Sequence, residues 1–398
     1  MTTTKNNEHK KLNVPNLRFK EFQGEWKKQS FGDIATGFDY GMNAAAKNYD
    51  GVNKYIRITD IDEASSTYTD KDIVSPDGIL TDNYLVNNRD ILLARTGAST
   101  GKSYLYKQSD GKLYYAGFLI RANVTTHDPY FVFSQLHTHR YWRWVSIMSA
   151  RSGQPGINSQ EYSSFPIYTT SIEEESKIAK LLSLLDERIA TQNKIIEDLK
   201  KLKSAIIEME YGQMAKSISH IGDFIEQISK RNKDSAIKNV LSVSNSQGFI
   251  QQSEQFENRI VASDDTSNYK IVERNDFAFN PARINVGSIA RLTTFERGIV
   301  SPMYICFRTK DILFPEYLDY YFESKQFFTE IQKRLEGSVR QCLSFDGLCN
   351  IPLCVPAIEM QQQIGKRLSA LVQEIKLEID FLELLQKQKK FLLYQMFI

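Results

Sequence analysis

The sequence predicts an α+β fold with two strand-rich domains, each followed by a long helix, and with the two helices pairing as an antiparallel coiled coil. Two observations lead to this prediction. The segment from Ile172 to Gln213 lies on the segment from Ile358 onward without a gap when it is shifted by 186 positions. Each copy is a long amphipathic stretch that follows a region of alternating apolar and polar residues. An internal repeat of this size determines the architecture of the whole chain.

The first helical segment has apolar residues at spacings of three and four, which is typical of a coiled-coil face. Gln192 interrupts this seam, and Glu378 is its partner under the shift of the repeat. A polar residue at one seam position commonly fixes the register of a coiled coil, although a local rotation of the helix would give the same pattern. Because a long globular segment separates the helices, we expect them to run in opposite directions. The predicted seam consists of Ile178, Leu182, Leu185, Ile189, Ile196, Leu199, Leu202, Ile206 and Met209.

The region before each helix is predicted to be a mixed domain with several strands. Lys54–Asp62 alternates like a half-buried strand, and Arg89–Arg95 is a short apolar strand followed by a glycine-rich turn and another strand. Pro129–Ala150 is rich in aromatic residues and is predicted to be helical. The second copy repeats this order, because Asn275–Leu292 matches the strand, turn and strand, and Phe314–Gly337 matches the aromatic helix.

The helix sequences of the two copies are closely similar, whereas most surface residues of the domains differ. Asp90 falls on Asp276 and Gly101 falls on Gly287, so the domains share a scaffold. This contrast indicates two readers of different targets on a common frame. A gene duplication that drifted would also give two diverged copies, but it would not obviously spare the helices.

The composition is that of a folded protein whose contacts with partners must be local. The chain has 398 residues, of which 41% are hydrophobic and 25% charged, and two or three domains are expected. The net charge is only +2, so any contact with nucleic acid must come from local basic patches. We expect no signal peptide and no membrane span, and the predicted location is the cytoplasm.

The cysteines and histidines form no recognisable metal or catalytic pattern. His137 and His139 are two positions apart, which would place them on different faces of a helix. No paired acids or nucleophile–base pair can be identified, so we expect a chain that performs no chemistry and binds no metal or cofactor itself. The four cysteines match no zinc spacing and are predicted to be reduced, small core residues: Cys306, Cys342, Cys349 and Cys354.

The glycine-rich turn at Thr96–Ser103 resembles a phosphate-binding P-loop. It follows an apolar strand, but the P-loop pattern requires glycine where Thr96 stands, and the matching turn of the second copy has no glycine–lysine pair. An NTPase is therefore one open alternative. The other is contact with DNA phosphates, because glycines let backbone amides approach a phosphate and Arg95 and Lys102 supply positive charge.

The matching turn of the second copy begins with Asn280–Arg283 and resembles the Asn-Pro-Pro-aromatic motif of adenine methyltransferases. It lacks the second proline and the aromatic residue that would stack on a flipped base. No glycine-rich cofactor loop follows a strand to support it. We interpret this turn as a DNA-contacting loop, in which Arg283 and Asn285 are suited to base edges.

The polar loops after the aromatic helices are further candidates for DNA contact. Arginine, glutamine, asparagine and serine are the side chains that read bases and hold phosphates, and both copies place such loops at corresponding positions. For any single residue, an ordinary solvated loop is the alternative. The candidate DNA-binding residues are Arg57, Arg95, Thr96, Ser99, Lys102, Arg151, Gln154, Asn158, Arg274, Asn280, Arg283, Asn285, Arg340 and Gln341.

The whole pattern resembles the specificity subunit of type I restriction-modification enzymes. The resemblance rests on the order of domains and helices, on the opening arm VPNLRFKEFQGEW (Val14–Trp26), on RDILLARTGASTGK (Arg89–Lys102), and on the helix entries at Phe165–Ile189 and Ile351–Leu368. In that family each globular part is a target recognition domain that reads one half of a split DNA site. The two helices form an antiparallel coiled coil that spaces the domains.

The resemblance implies four segments and a set of partners. The segments are a first target recognition domain at 1–168, a central helix at 169–214, a second target recognition domain at 215–355 and a C-terminal helix at 356–398. The implied partners are double-stranded DNA, two modification subunits docked on the helices, and restriction subunits that translocate and cleave DNA. S-adenosylmethionine, ATP and Mg would be used by those subunits, and this chain would be non-catalytic. A protein-binding adaptor stays open beside the NTPase.

Overall fold

The chain folds into two compact units. The computed structural model describes residues 13–150, 154–212, 219–245, 247–252, 265–337 and 341–398. The first unit comprises Met1–Asn193 together with Asp380–Ile398, and the second comprises Lys194–Ile379. Each unit therefore contains one strand-rich domain and a portion of each long helix. The segment boundaries at 168, 214 and 355 stay predictions.

The first unit combines short strands with short helices ahead of a long helix. The strands are β1 (Lys27–Ser30), β2 (Ala35–Tyr40), β3 (Ala45–Asn48), β4 (Lys54–Ile56), β5 (Val74–Asp77), β6 (Asp90–Ala94), β7 (Ser103–Leu105), β8 (Leu113–Tyr115), β9 (Leu119–Val124) and β10 (Pro166–Thr169). The helices are α1 (Phe31–Ile34), α2 (Pro129–Gln135), α3 (His139–Met148), α4 (Ser159–Ser163) and the first part of α5 (Ile172–Tyr211). The main antiparallel sheet has the order β2-β9-β6-β7, and smaller sheets pair β1 with β10, β3 with β5 and β4 with β8.

The second unit repeats this plan with a second sheet of its own. The strands are β11 (Ile225–Ile228), β12 (Val240–Ser244), β13 (Gly248–Gln251), β14 (Lys270–Glu273), β15 (Phe277–Phe279), β16 (Ile289–Arg291), β17 (Arg297–Val300) and β18 (Ile305–Thr309). The helices are the last part of α5, α6 (Ile221–Phe224), α7 (Pro315–Tyr321), α8 (Lys325–Gln332), α9 (Phe345–Cys349) and the first part of α10 (Ile358–Met396). One sheet has the order β11-β18-β15-β16, and the other has the order β13-β12-β17-β14.

The repeat extends through the domains, because the main sheets of the two units have equivalent strands in the same order. Asp90 and Asp276 lie at the entry to the equivalent strands β6 and β15. Each is buried, and each accepts a backbone N–H at 2.7 Å, from Asn87 and from Glu273 respectively. Burial raises the pKa of both carboxyl groups. The prediction of two strand-rich domains, each followed by a long helix, is confirmed.

Two local predictions are correct in the type of element and wrong in its extent, because in each case a side chain caps the backbone and a new element starts. The strand predicted from Lys54 ends at Ile56, where the Asp60 carboxylate accepts the Arg57 N–H at 2.8 Å and starts a 3-10 turn. The aromatic helix is broken into α2 and α3, because the Thr138 hydroxyl caps the second helix. The equivalent break between α7 and α8 is capped by a serine.

The predicted helical seam is correct in its first half and wrong near its end. Ile178, Leu182 and Leu185 are buried, but Leu202 and Met209 are 50% and 60% exposed. The residues that are buried instead are Ile207 and Tyr211. Counting from Leu185, one buried residue follows another after every three turns of the helix. This is the spacing expected on one face of a nearly straight helix. A seven-residue pattern drifts off the buried face of such a helix.

Segments of the two long helices contact each other within each unit. In the first unit, Asp186 lies 2.6 Å from Lys389, and the Arg188 guanidinium lies 5.3 Å from the centre of the Phe381 ring. The residue number falls along α10 as it rises along α5, so these segments run antiparallel. In the second unit Glu210 pairs with Arg367 at 2.6 Å. Pairing along the full length as a coiled coil stays a prediction.

The predicted register residues Gln192 and Glu378 lie near the middle of the long helices. The Gln192 side chain is 5% exposed, and Glu378 is partly buried. Their role in fixing the register stays a prediction.

The opening arm is tied to the first unit by both charge and burial. The Arg18 guanidinium makes two hydrogen bonds of 2.7 Å to the Glu174 carboxylate at the start of α5. Trp26 is buried against Phe131 of α2 and Phe397 at the end of the chain. The arm and the C-terminal end of α10 therefore belong to one hydrophobic core.

All four cysteines are free thiols. The prediction that they are core residues is wrong in part. Cys306 is buried, and burial raises the pKa of its thiol to about 12. Cys342 and Cys349 are partly buried, whereas Cys354 is exposed because it lies in the connection that leads to α10 rather than inside the core. In the described parts of the chain, no helix has the length and apolar character needed to span a membrane.

His137 is expected to make the first unit sensitive to acid. Burial lowers the pKa of its imidazole to about 4, and the Lys389 ammonium contributes in the same direction. Because this pKa is below its unfolded value near 6.5, the folded state favours the neutral imidazole. The first unit therefore has its full stability above pH 6.5 and loses part of it as the pH falls toward 4. In urea unfolding at pH 7 and pH 4.5, His137→Gln should lose part of this pH dependence, whereas His139→Gln, at an exposed position, should keep it. Equal pH dependence in wild type and His137→Gln would contradict the assignment.

Candidate nucleic-acid interface

In the first unit, the glycine-rich turn after β6 lies directly beside the polar loop before α4. Ile157 donates its backbone N–H to the Arg95 carbonyl at 2.9 Å, and Gly97 donates to the Pro155 carbonyl at 3.0 Å. Two loops that are distant in the sequence therefore form one surface. We call this surface, residues 95–102 and 154–158, the first loop pair.

The second unit builds the same arrangement from different side chains. Leu343 donates its backbone N–H to the Pro281 carbonyl at 3.0 Å, and the shift of the repeat makes this bond the equivalent of Ile157–Arg95 in the first unit. Gly101 and Gly287 have φ values of +93° and +88° at equivalent positions in the two turns. We call residues 280–288 and 341–344 the second loop pair. The repeat thus preserves the backbone of the surface while its side chains differ.

Two buried tyrosines hold the first loop pair rigidly on the domain. The Tyr162 hydroxyl donates to the Ala94 carbonyl at 2.6 Å and accepts the Gly101 N–H at 3.1 Å. The Tyr141 hydroxyl donates to the Gly101 carbonyl at 2.8 Å. Burial raises the pKa of both tyrosines, so both stay neutral donors. The turn is therefore ordered without help from a ligand.

The structure brings together most of the candidates predicted in the first unit. Gln154 is exposed, and Thr96 and Ser99 are partly buried in the turn. Lys102 forms an ion pair of 3.2 Å with Glu63, whose side chain is largely exposed. Arg95 belongs to the same surface. Arg151 lies outside the described residues.

Two other candidates of the first unit are occupied by structural contacts. The Asn158 side chain accepts the Glu161 N–H at 2.9 Å, and the Glu161 carboxylate accepts the Asn158 N–H at 2.7 Å, so the pair caps α4. Arg57 is held by Asp60 at 2.7 Å and by Asp72 at 3.0 Å, outside the loop pair. Both side chains already have partners within the unit.

In the second loop pair, fewer side chains form hydrogen bonds or ion pairs within the protein. Arg283 and Gln341 are exposed, and neither side chain has a polar partner among the described residues. Asn285 is partly buried, and Asn280 is buried with its side chain accepting the Ala282 N–H at 3.1 Å. Arg274 pairs with Glu296 at 3.0 Å, apart from the loop pair. Arg340 is not within the described part of the chain.

An aromatic pair beside Arg95 was missed from the sequence. The Arg95 guanidinium lies 4.9 Å from the centre of the Tyr40 ring and 5.9 Å from that of Phe118. Tyr40 ends β2 and Phe118 stands just before β9, and these residues are 43% and 56% exposed. Nothing local in the sequence connects these residues with Arg95, since the sheet alone brings them together.

A basic groove in the second unit was also missed. It encloses about 830 Å³, and its lining includes the cations Lys230, Arg231, Lys233 and Arg297 with Asp234 as the acidic member. The run Lys230–Lys233 (KRNK) could have indicated it, because clustered cations in a nearly neutral chain mark a local anion-binding surface. Such a groove suits phosphate backbone rather than bases.

The geometry does not support the NTPase alternative. The turn at Thr96–Ser103 leads into β7, which pairs antiparallel with β6, whereas a P-loop leads into a helix whose N-terminus binds phosphate. Among the described residues there is no group of three histidine, cysteine or acidic side chains placed to hold a metal ion. The surface offers hydrogen-bond donors, positive charge and aromatic faces, which are the means of binding nucleic acid.

The sequence model of the type I restriction modification DNA specificity domain matches the chain twice, over residues 23–201 and 217–387. The chain belongs to this family. The two matches correspond to the two copies of the repeat, so each copy is one DNA specificity domain. The family acts with DNA and with other restriction-modification subunits, and neither the NTPase nor the adaptor alternative is supported.

Individual relatives agree with this assignment. The specificity subunit of the type I restriction enzyme MjaVIII from Methanocaldococcus jannaschii is 23% identical over 343 residues, covering 77% of each chain. The S subunit of a type I restriction-modification system from M. genitalium has the same fold, with a TM-score of 0.61 and 14% identity over 97% of this chain and 99% of that one. A chain from a study of complex assembly and conformational transition in the type I system gives a TM-score of 0.54 at 13% identity, covering 94% and 97%.

Proposed function

We propose that each unit of this specificity subunit reads one half of a bipartite DNA site through its loop pair. The observation that carries the proposal is the repeated backbone contact, Ile157–Arg95 in one unit and Leu343–Pro281 in the other. A shared frame with different exposed side chains suits two readers of different sequences. The side chains that are bonded within the unit position the loops. The side chains without such partners are available to contact bases and phosphates.

The long helices are proposed to space the two units. The α5 helix has 40 residues, which at 1.5 Å per residue corresponds to roughly 60 Å. That length exceeds one turn of DNA, about 34 Å, so two domains held by such helices can face separate half-sites. The antiparallel contacts within each unit support the pairing of the two helices as a coiled coil. The unread bases between the half-sites would match this spacing.

The same helices are proposed to dock two modification subunits. In the second unit, α5 has exposed apolar residues that are spaced two helical turns apart. This spacing places them in a stripe on one face of the helix. In the first unit, a comparable stripe of α10 has members one or two turns apart. Exposed apolar surface of this kind marks an interaction site. The stripes consist of Ile195, Leu202 and Met209 on α5, and of Phe381, Leu384 and Phe391 on α10.

The proposed partners supply the chemistry that this chain is proposed to lack. The modification subunits would use S-adenosylmethionine, and restriction subunits would use ATP and Mg to translocate and cleave DNA. The chain itself would act as the non-catalytic reader of this complex, in the cytoplasm.

Exchange of residues 30–165 for the equivalent segment of a relative with a different DNA site tests the proposal. The exchange points are adjacent, because Phe31 donates its N–H to the Phe165 carbonyl at 2.8 Å, so the new segment enters and leaves at one place. We expect the methylated site to change in one half and to keep the other half, which serves as the internal control. The measurement is genome-wide mapping of methylated adenines in cells that express the chain with its cognate modification subunit. An unchanged site would contradict the proposal.

A further inference from the structure

The guanidinium group of Arg95 is held in one orientation before any DNA binds. Its Nε donates to the Gly117 carbonyl at 3.0 Å, and its central carbon lies near the exposed rings of Tyr40 and Phe118, 4.9 and 5.9 Å from their centres. The terminal nitrogens Nη1 and Nη2 make no hydrogen bond or ion pair with the described residues. The terminal nitrogens of the guanidinium group are therefore held in position but have no hydrogen-bond partner among the described residues.

Two other arginines of the first unit use the terminal nitrogens of their guanidinium groups within the protein. The Arg57 guanidinium binds Asp60 and Asp72, and Arg121 donates to the Leu85 carbonyl and to Asp39. The neighbouring carboxylates balance the positive charge of these two arginines. Arg95 has no carboxylate partner among the described residues, although it lies within the loop pair.

The surroundings of Arg95 allow another molecule to approach closely. Its side chain donates to the Gly117 carbonyl, and its backbone is packed against Gly156 of the neighbouring loop. At Gly156 an added Cβ atom would lie 3.2 Å from the Arg95 carbonyl oxygen, so the loops are packed backbone to backbone. Arg95 is partly exposed, and the Tyr40 and Phe118 rings beside its guanidinium are exposed, so a base edge can reach the group.

We infer that Arg95 reads a guanine in the half-site of the first unit, which deepens the proposed function and rests on it. Two parallel N–H groups of an arginine match the O6 and N7 acceptors of guanine in the major groove. A phosphate can also be bound by a point charge such as a lysine ammonium, so its recognition does not depend on a fixed guanidinium plane. A base requires that plane, and the contacts with Gly117, Tyr40 and Phe118 provide it before binding.

The second unit cannot make this contact at the corresponding position. Pro281 stands where Arg95 does, since both carbonyls accept the equivalent N–H from the neighbouring loop. Proline has no side-chain donor. The guanine requirement therefore belongs to one half-site, and the other half-site is read by other residues of the second loop pair.

The test is methylation mapping with the full chain and its cognate modification subunit, comparing wild type with Arg95→Ala and Arg95→Lys. Arg143→Ala is the matched control, because Arg143 is an exposed arginine on α3 whose removal changes the net charge equally. We expect wild type to require guanine at one position of one half-site. Arg95→Ala and Arg95→Lys should both lower the preference for that guanine on the order of 10- to 100-fold, with the other positions unchanged. Arg143→Ala should keep the wild-type site.

The outcomes separate this inference from the proposed function. If Arg95→Lys keeps the full guanine preference, or if Arg95→Ala weakens methylation of every site equally, the planar fork of Arg95 does not read the base and the inference is wrong. If the wild-type complex methylates no bipartite site, the proposed function itself fails. Arg95→Lys retains the charge, so it still decides the question if Arg95→Ala does not fold.

Discussion

Replacement of Glu175 by leucine is expected to destabilise the first unit by about 3 kcal/mol, because buried N–H groups would lose their acceptor. Glu175 is fully buried at the start of α5. Its carboxylate accepts the backbone N–H groups of Asp128 at 3.0 Å and Thr170 at 3.1 Å, and contacts the His127 ring nitrogen at 2.8 Å. These bonds attach the long helix to the entry of α2 and to the strand before it. Leucine would leave all three groups without a partner.

Glu175→Gln and Glu173→Leu make the prediction specific. Glutamine keeps one acceptor oxygen but presents an amide donor to the second N–H, so we expect an intermediate loss of about 1 to 2 kcal/mol. Glu173 is exposed on the same helical turn, and its replacement by leucine should change stability by less than about 0.5 kcal/mol.

Urea unfolding followed by tryptophan fluorescence reports on the first unit alone, because all three tryptophans (Trp26, Trp142 and Trp144) belong to it. Equal stability of the Glu175→Leu and Glu173→Leu variants would contradict the assigned role of Glu175.

The second unit uses the same position with a different residue. Gln361 is the equivalent of Glu175, and its oxygen accepts the Phe314 N–H at 2.7 Å. Its amide nitrogen donates to the carbonyls of Pro356 at 2.8 Å and Ile312 at 3.1 Å, which a carboxylate could not do. The attachment of helix to domain is therefore repeated, while the residue is matched to the partners in each unit.

Substitution of Gly101 by alanine is expected to destabilise the first unit by about 3 kcal/mol, because backbone strain and a steric clash coincide. Gly101 has a φ of +93°, and an added Cβ would lie 2.8 Å from a methyl carbon of Val145 and 3.0 Å from the Trp142 ring. The turn would have to move away from α3 and from the tyrosines that hold it. The proposed contact of the first loop pair with a DNA half-site should then be lost as well.

Gly287→Ala is the matched control in the second unit. Gly287 has a φ of +88°, but the nearest atom to an added Cβ is the Asn245 carbonyl oxygen at 3.8 Å. Only the backbone strain applies there, so we expect a loss of about 1 kcal/mol. Thermal unfolding by circular dichroism measures both variants, and tryptophan fluorescence assigns the first to its unit. Similar losses in the two variants would show that the clash with Val145 and Trp142 is unimportant.

The architecture could be predicted because it depends on periodicity and on repetition. The internal repeat, the long helices and the strand-rich domains are properties of residue spacing, and the structure and the family match confirm them. The error in the seam, where Leu202 and Met209 are exposed, has a physical origin. Apolar spacing identifies a helix face, but the face that is buried also depends on the domain packed against the helix.

The candidate surface could be predicted only as separate pieces. The turn around Thr96 and the loop around Gln154 were both identified from residue type, and the structure places them together through the Ile157–Arg95 bond. Residue type could not show that Asn158 is occupied as a helix cap, or that Lys102 is paired with Glu63. These assignments depend on neighbours that are distant in the sequence.

The sequence by itself determined the repeated order of domain and helix, the family, and the loops proposed to contact DNA, because these follow from local patterns that each copy carries in full. Only the tertiary structure decided which side chains of those loops are available. Arg95 is an example, since its orientation depends on Tyr40 and Phe118, which the sheet brings from well before it and well after it in the chain. Sheet pairing joins residues that no local pattern connects, and a reading surface is composed of such residues.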